Sequence, residues 1–202
     1  MPAGLTCLAL LAAAGLMGAA DPPPASGKIL LRATSVDLDN TTKQIIVVDA
    51  VVTQGTDSVS ADRAEADSLD FENSRWVFIG NVHIRSAIHG NLQSDRATVE
   101  YRNNAMTRAV ATGAPAEFEQ TQSPNGVLAH GHANSIEYEV ASGTVRLTGD
   151  PWLTNGRAVM SAAVITYDVN EKTMKGAADD ATGKRVDVTI LPKQDGSRDA
   201  KP

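Results

Sequence analysis

The sequence predicts an all-β fold of repeated antiparallel strands, on three observations. Apolar and polar residues alternate with period two from Lys28 to Leu191, and Val, Ile and Thr are enriched where the alternation holds. Short polar clusters break the alternation at strand-length intervals, and no stretch keeps a helical period. One pattern also returns along the chain without catalytic residues attached. Its clearest copy is Arg75–Arg85 followed by Asp95–Tyr101, its second Thr144–Leu153 followed by Ala163–Asp168, and its weakest Ile45–Gln54 followed by Asp62–Ala64. Repeated apolar-faced strands build a long surface rather than a pocket, which points to carrying or scaffolding.

Residues 1–20 read as a signal peptide. Leu5 to Ala20 is uncharged and ends on Gly18, Ala19 and Ala20, the small residues a signal peptidase reads. The run is shorter than the roughly 20 apolar residues of a membrane span. The expectation is cleavage after Ala20 and export to the periplasm. The only cysteine, Cys7, would leave with the leader, which suits an oxidising compartment. Residues 21–27 form a Pro-rich linker, residues 28–192 the folded domain, and residues 193–202 a polar, disordered tail.

Within the domain, Ile29–Arg32 opens the strand series and Val186–Leu191 closes it, with Pro192 as the stop. Turns are expected at Asp39–Lys43, Glu72–Ser74, Arg102–Asn104, Ser123–Gly126, Ala141–Gly143 and Asp168–Glu171. The result is a dozen or more short antiparallel strands. Aligning Gly80 with Gly149 tests the repeat. Trp76, Phe78, Val82 and Ile84 then match Val145, Leu147, Pro151 and Leu153, all apolar. The opposite faces are mixed, as for a sheet with one buried side. Ala97, Val99 and Tyr101 likewise match Ala163, Ile165 and Tyr167, and Asn134, Ile136 and Tyr138 make another such strand. Gly80, Gly113 and Gly149 mark bends or bulges of a curved sheet.

Bulk composition narrows the function classes. The 202 residues carry a formal net charge of −6 with no basic run, so nucleic-acid binding is not expected. No catalytic constellation survives inspection. His130 and His132 share a strand face, but no third ligand has metal-site spacing, so no metal and no cofactor is expected. His83 and His89 face solvent, and Asp67 and Asp70 are solvated carboxylates. There is no GxSxG, phosphate loop or dinucleotide fingerprint. The recurring Asp62-Arg63 and Asp95-Arg96 are surface pairs or strand-end contacts. An enzyme is not expected.

The order of motifs resembles the OstA-like domain family, the periplasmic A component of the lipopolysaccharide transport system. The matching residues are Phe78–Val82 with Asp95–Ala97, Ala129–Ala133 with Ser135–Tyr138, Val145–Gly149 with Ile165–Asp168, and Gly183–Val186 leading into the last strand. Two positions depart from the pattern: Asp49 stands where later copies have Gly, and Asp150-Pro151 where an Asn-Val type pair is expected.

The resemblance implies a twisted, partly open antiparallel jelly roll whose apolar groove holds the acyl chains of lipopolysaccharide. The implied groove residues are Trp76, Phe78, Val82, Ile84, Val99, Tyr101, Ile136, Tyr138, Val145, Leu147, Ile165 and Tyr167. The implied partners are an inner-membrane-anchored C component and an outer-membrane D component, joined through edge strands carrying Ile29, Leu30, Leu31, Val186, Val188 and Ile190. Head-to-tail self-association through the same edges is a further expectation. Two rivals are a membrane-anchored C component and a secreted structural β-repeat protein with a filled, lipid-free core.

Overall fold

The computed structural model describes residues 28–191 except 40, 42, 43, 70, 71, 87–89 and 123–126. The expected cleavage site, linker and polar tail, together with His89, Asp70 and the Ser123–Gly126 turn, lie outside the described residues. No described helix is long and apolar enough to cross a membrane.

The described strands are β1 (Ile29–Arg32), β2 (Ser35–Asp39), β3 (Gln44–Gln54), β4 (Asp57–Ala66), β5 (Asn73–Ser86), β6 (Gly90–Arg102), β7 (Ala105–Gln122), β8 (Val127–Glu139), β9 (Thr144–Thr148), β10 (Trp152–Thr154), β11 (Ala158–Ser161), β12 (Val164–Asp168), β13 (Thr173–Ala177) and β14 (Asp187–Ile190). All fourteen belong to one sheet, and every pairing between them is antiparallel. The expectation of short strands is corrected for the middle of the chain: β7 alone runs for 18 residues.

Length is reconciled with compactness by a crease. The ladders between β4 and β8 shift register midway, at Ser60/Arg63, Ile79/Val82, Gln93/Arg96 and Thr112/Ala116. Each shift inserts extra residues on one strand, and such bulges bend a strand and sharpen its twist. Backbone in the left-handed region lines the same fold: Asp49 (φ 52°), Gly80 (φ 77°), Asn81 (φ 45°), Gly149 (φ 74°) and Asp150 (φ 53°). Gly80 and Gly149, aligned from the repeat alone, hold equivalent bulges. Asp49, the departure from glycine, takes the same left-handed conformation.

The crease divides the sheet into two layers. The first contains β2, β9, β12, β13 and the halves of β3 to β8 that lie toward the β6–β7 turn. The second contains β1, β10, β11, β14 and the other halves. The division shows in β3, which pairs with β2 through residues 44–48 and with β1 through 51–54. It shows again in β8, which pairs with β9 through 135–139 and with β10 through 130–132. Thr144–Leu153 is therefore not one strand. Pro151 supplies no amide hydrogen, Gly149 and Asp150 turn left-handed, and the segment splits into β9 and β10 on different layers. Two smaller corrections follow. Asn73 and Ser74 open β5 rather than forming a turn, and Val186 lies just before β14.

The core sits between the layers. The inward residues of both halves form one cluster, with Trp76, Phe78, Val99, Ile136, Leu147, Leu153, Ile165 and Tyr167 fully buried. This aliphatic interior, punctuated by few rings, follows from an aromatic content of 4%.

Candidate ligand-binding interior

The crease is built from short polar side chains. Asn81 donates through Nδ2 to Asp62 Oδ2 at 2.8 Å, and the Thr34 hydroxyl donates to Asp49 Oδ2 at 2.8 Å. The Ala114 amide donates to Asp95 Oδ2 at 3.2 Å, and the Asn134 amide to the Gly149 carbonyl at 2.8 Å. At its C-terminal end, the Lys184 ammonium lies 2.5 Å from Asp150 Oδ1 and holds that carboxyl below the usual range. Asp62 and Asp95 are thus corrected from surface pairs or strand-end contacts to mid-strand acceptors that tie the bulges. Arg63 turns away to Glu65, at 3.0 Å. The repeat of Asp62 and Asp95 carried a signal for this, because a bulge turns donors, a side-chain amide for Asp62 and a backbone amide for Asp95, to where a short carboxylate can reach them.

The crease directs one set of side chains inward. Of the twelve residues singled out from sequence, eleven are buried in the shared interior and Ile84 is partly buried against it. Trp76 and Phe78 stack at 6.1 Å along the first layer, with an interplanar angle of 20°. Phe118 from the second layer meets Tyr167 from the first at 6.1 Å. Leu153, matched to Ile84 in the repeat, lies in the same interior, as do Phe118, Ala133 and Met160, which sequence reasoning did not place there. Alternation was the available signal for Phe118, Ala133 and Met160, but their segments were not aligned in the repeat.

The space between the layers is small. A cavity of about 40 Å³ is lined by Ile84, Leu92 and Phe118 from the second layer and by Met106, Ile136 and Tyr138 from the first. The margin opposite the crease is bridged by side chains. Gln54 donates through Nε2 to the Asn104 carbonyl at 3.1 Å, and Tyr167 donates its hydroxyl to Gln120 Oε1 at 3.0 Å. Burial, with a smaller contribution from the Asp57 carboxylate, pushes the phenols of Tyr101 and Tyr138 up to about 12. Asp57 lies on the second layer and both tyrosines on the first. Among the described residues, no backbone ladder joins the layers along this margin.

The outer faces carry different chemistry. On the first layer, Arg108 lies 2.6 Å from Glu137, 2.9 Å from Glu139 and 3.5 Å from Glu100, a cross-strand cluster of partly exposed charges. On the second, His132 stacks on Trp152 at 5.5 Å and His130 meets its edge at 5.6 Å. Among the described residues, no group of three or more His, Cys, Asp or Glu could hold a metal ion.

The sheet ends in two unlike edges. On one, β1 and β2 both pair only with β3; on the other lie β13, paired with β12, and β14, paired with β11. Both edges expose apolar residues, including Leu30, Val36 and Leu38 on the first and Val188 and Ile190 on the second, with Ile190 78% exposed. Ile29 and Leu31 are partly buried against the core, and Val186 is exposed beside β14. The edge strands β2 and β13 were not singled out from sequence.

Residues 59–173 match the family described as LptA/(LptD N-terminal domain) LPS transport protein. The lipopolysaccharide export system protein LptA of Escherichia coli strain K12 is 32% identical over 145 residues, covering 71% of this chain and 76% of that protein. The LptA protein of Haemophilus influenzae is 31% identical over 135 residues, covering 65% of this chain and 76% of that protein. The crystal structure of LptH, the LptA homologous periplasmic component from Pseudomonas aeruginosa, aligns with a TM-score of 0.45 at 17% identity, over 85% of this chain and 100% of that chain. By the extent of the family match and the identity to its E. coli relative, this chain belongs to the family of LptA and LptD N-terminal-domain lipopolysaccharide transport proteins.

Proposed function

We propose that this protein is a periplasmic carrier of lipopolysaccharide and forms part of the bridge that moves it from the inner to the outer membrane. The observation that carries this reading is a continuous apolar interior between two layers that, among the described residues, share backbone only along one crease. Such a fold can shelter acyl chains while leaving one long margin for the sugars. Each methylene withdrawn from water contributes about 0.8 kcal/mol. A chain with net charge −6 is a poor cradle for phosphorylated sugars, so only the acyl chains enter. The contacting side chains are Trp76, Phe78, Val82, Ile84, Val99, Tyr101, Ile136, Tyr138, Val145, Leu147, Ile165 and Tyr167.

The partners are like-folded domains of an inner-membrane-anchored C component and an outer-membrane D component. Exposed strands β1 and β14 offer unpaired backbone groups, flanked by Leu30 on one side and by Val188 and Ile190 on the other. Because the edges differ, the contact is head to tail, and further copies of this chain can extend it. Removal of residues 1–20 on export leaves the carrier unanchored. Nothing in the site calls for bond-making chemistry.

A filled, lipid-free core is the second reading, and the small cavity between the layers favours it. A photo-crosslinking side chain decides. Placed at Phe78 or Leu147, both fully buried, it is expected to capture lipopolysaccharide. Placed at Asn81 or Arg146, both exposed, it is not. Equal labelling of inner and outer positions, or no labelling anywhere, would overturn the carrier reading.

A further inference from the structure

The chain has three tyrosines, and all stand in one row. Tyr101 is the penultimate residue of β6, Tyr138 of β8 and Tyr167 of β12. These three strand ends lie on the first layer, along the margin opposite the crease. Tyr167 donates across the interior to Gln120 of the second layer, and the charge of Asp57, also on the second layer, acts on Tyr101 and Tyr138. Gln54 and the Asn104 carbonyl close the same margin beside Asp57. The contacts span 47 residues between Gln120 and Tyr167 and 50 between Gln54 and Asn104, so they join layers rather than neighbouring strands.

Among the described residues, the interior behind this row is closely packed. Its cavity of about 40 Å³ exceeds by only a few-fold the roughly 10–15 Å³ that admits one water. An acyl chain of many methylenes needs the layers to part. They are hinged at the crease, so the opposite margin is where they part.

We infer that the tyrosine row, with Gln54 and Asn104, is a latch that fastens the lipid-free protein shut and must release before acyl chains enter between the layers. This inference rests on the carrier reading above. Released turn groups such as the Asn104 carbonyl regain water, so opening costs little there. The buried tyrosine hydroxyls do not regain water. They re-pair with the ester and amide carbonyls of the lipid, which lie at this margin when chains are inside and sugars outside. The latch thus favours ligands that carry hydrogen-bond acceptors at the root of the acyl chains.

The test is a reversible lock. In the full chain carrying Cys7→Ser, Gln54→Cys and Asn104→Cys are joined by a short bis-methanethiosulfonate cross-linker, which dithiothreitol cleaves. Uptake of fluorescent lipopolysaccharide is followed by co-elution. The joined form is expected to load at least about tenfold less than the unjoined form, and reductant is expected to restore loading. Loading that ignores the cross-link overturns the latch and leaves the carrier reading standing. Failure of the unmodified chain to load overturns both. A second variant, Tyr167→Phe, keeps the ring and removes the hydroxyl. It is expected to raise the uptake rate about fivefold, the equivalent of one net hydrogen bond; an unchanged rate overturns the latch.

Discussion

Gly80 and Asp49 meet the same backbone demand with different chemistry. Both sit in the left-handed region, at φ 77° and 52°, where the strand turns through the crease. Aspartate tolerates that region better than most residues, and its carboxylate here accepts from the Thr34 hydroxyl, 15 residues away in sequence. Gly80 has a second constraint, since a Cβ there would lie 2.5 Å from Asp62 Oδ2, the acceptor that Asn81 uses. Gly80→Ala is therefore expected to destabilise the fold by about 1–3 kcal/mol, read as a lower urea midpoint. Gly55→Ala is the control, because Gly55 is also left-handed but has nothing within 4 Å of its Cβ position. Its cost is expected to stay near the smaller backbone penalty of about 1 kcal/mol. Equal costs at the two sites would remove close approach as the reason for glycine at the crease. The sequence made this position legible, because Gly80 and Gly149 keep the same offset from their apolar neighbours. It did not show that Asp62 closes over the glycine, since nothing local ties residue 62 to residue 80.

Strand existence was easier to read than strand partners. Alternation located the opening and closing strands to within a residue, and Arg102–Asn104, Ala141–Gly143 and Asp168–Glu171 do hold turns. It could not show that β9 and β10 diverge, because the inward set Val145, Leu147, Pro151 and Leu153 keeps one parity through the break. The same parity argument sharpens the expectation for the closing edge. The Leu191 amide donates to the Arg157 carbonyl at 2.8 Å, toward the β11 side. Amide directions alternate along an antiparallel strand, so Thr189 also points toward β11 while Val188 and Ile190 point outward. Thr189→Pro is expected to damage the protein's own ladder. Ile190→Pro removes an outward donor from an edge strand, where proline is tolerated. Ile190→Pro is accordingly expected to weaken head-to-tail association in sedimentation while leaving the urea midpoint within about 0.5 kcal/mol of the parent. Unchanged association would mean that partners do not add to this edge through backbone bonds.

At the scale of the whole molecule, period-two alternation tells which face of a strand is buried but not what covers it. The twelve inward positions were legible for that reason. The doubling of the sheet onto itself was not, because the bonds that close it join residues such as Gln54 and Asn104 far apart in sequence. Closure has a titratable signature. The Tyr101 and Tyr138 phenols are raised from 10.0 to about 12, chiefly by burial and further by Asp57. The folded state thus holds these protons more tightly than the unfolded chain does. Their contribution to stability is complete below pH 10 and is lost as pH rises from 10 toward 12. The urea midpoint is expected to fall across that window as tyrosinate absorbance appears. In the Tyr101→Phe, Tyr138→Phe double variant the rings still pack but no proton is released, so the fall across the window is expected to flatten. Deprotonation of lysines is common to both proteins and cancels in the comparison. A double variant that loses stability over the same window with the parent's slope would show that closure of the two layers does not depend on keeping these hydroxyls protonated.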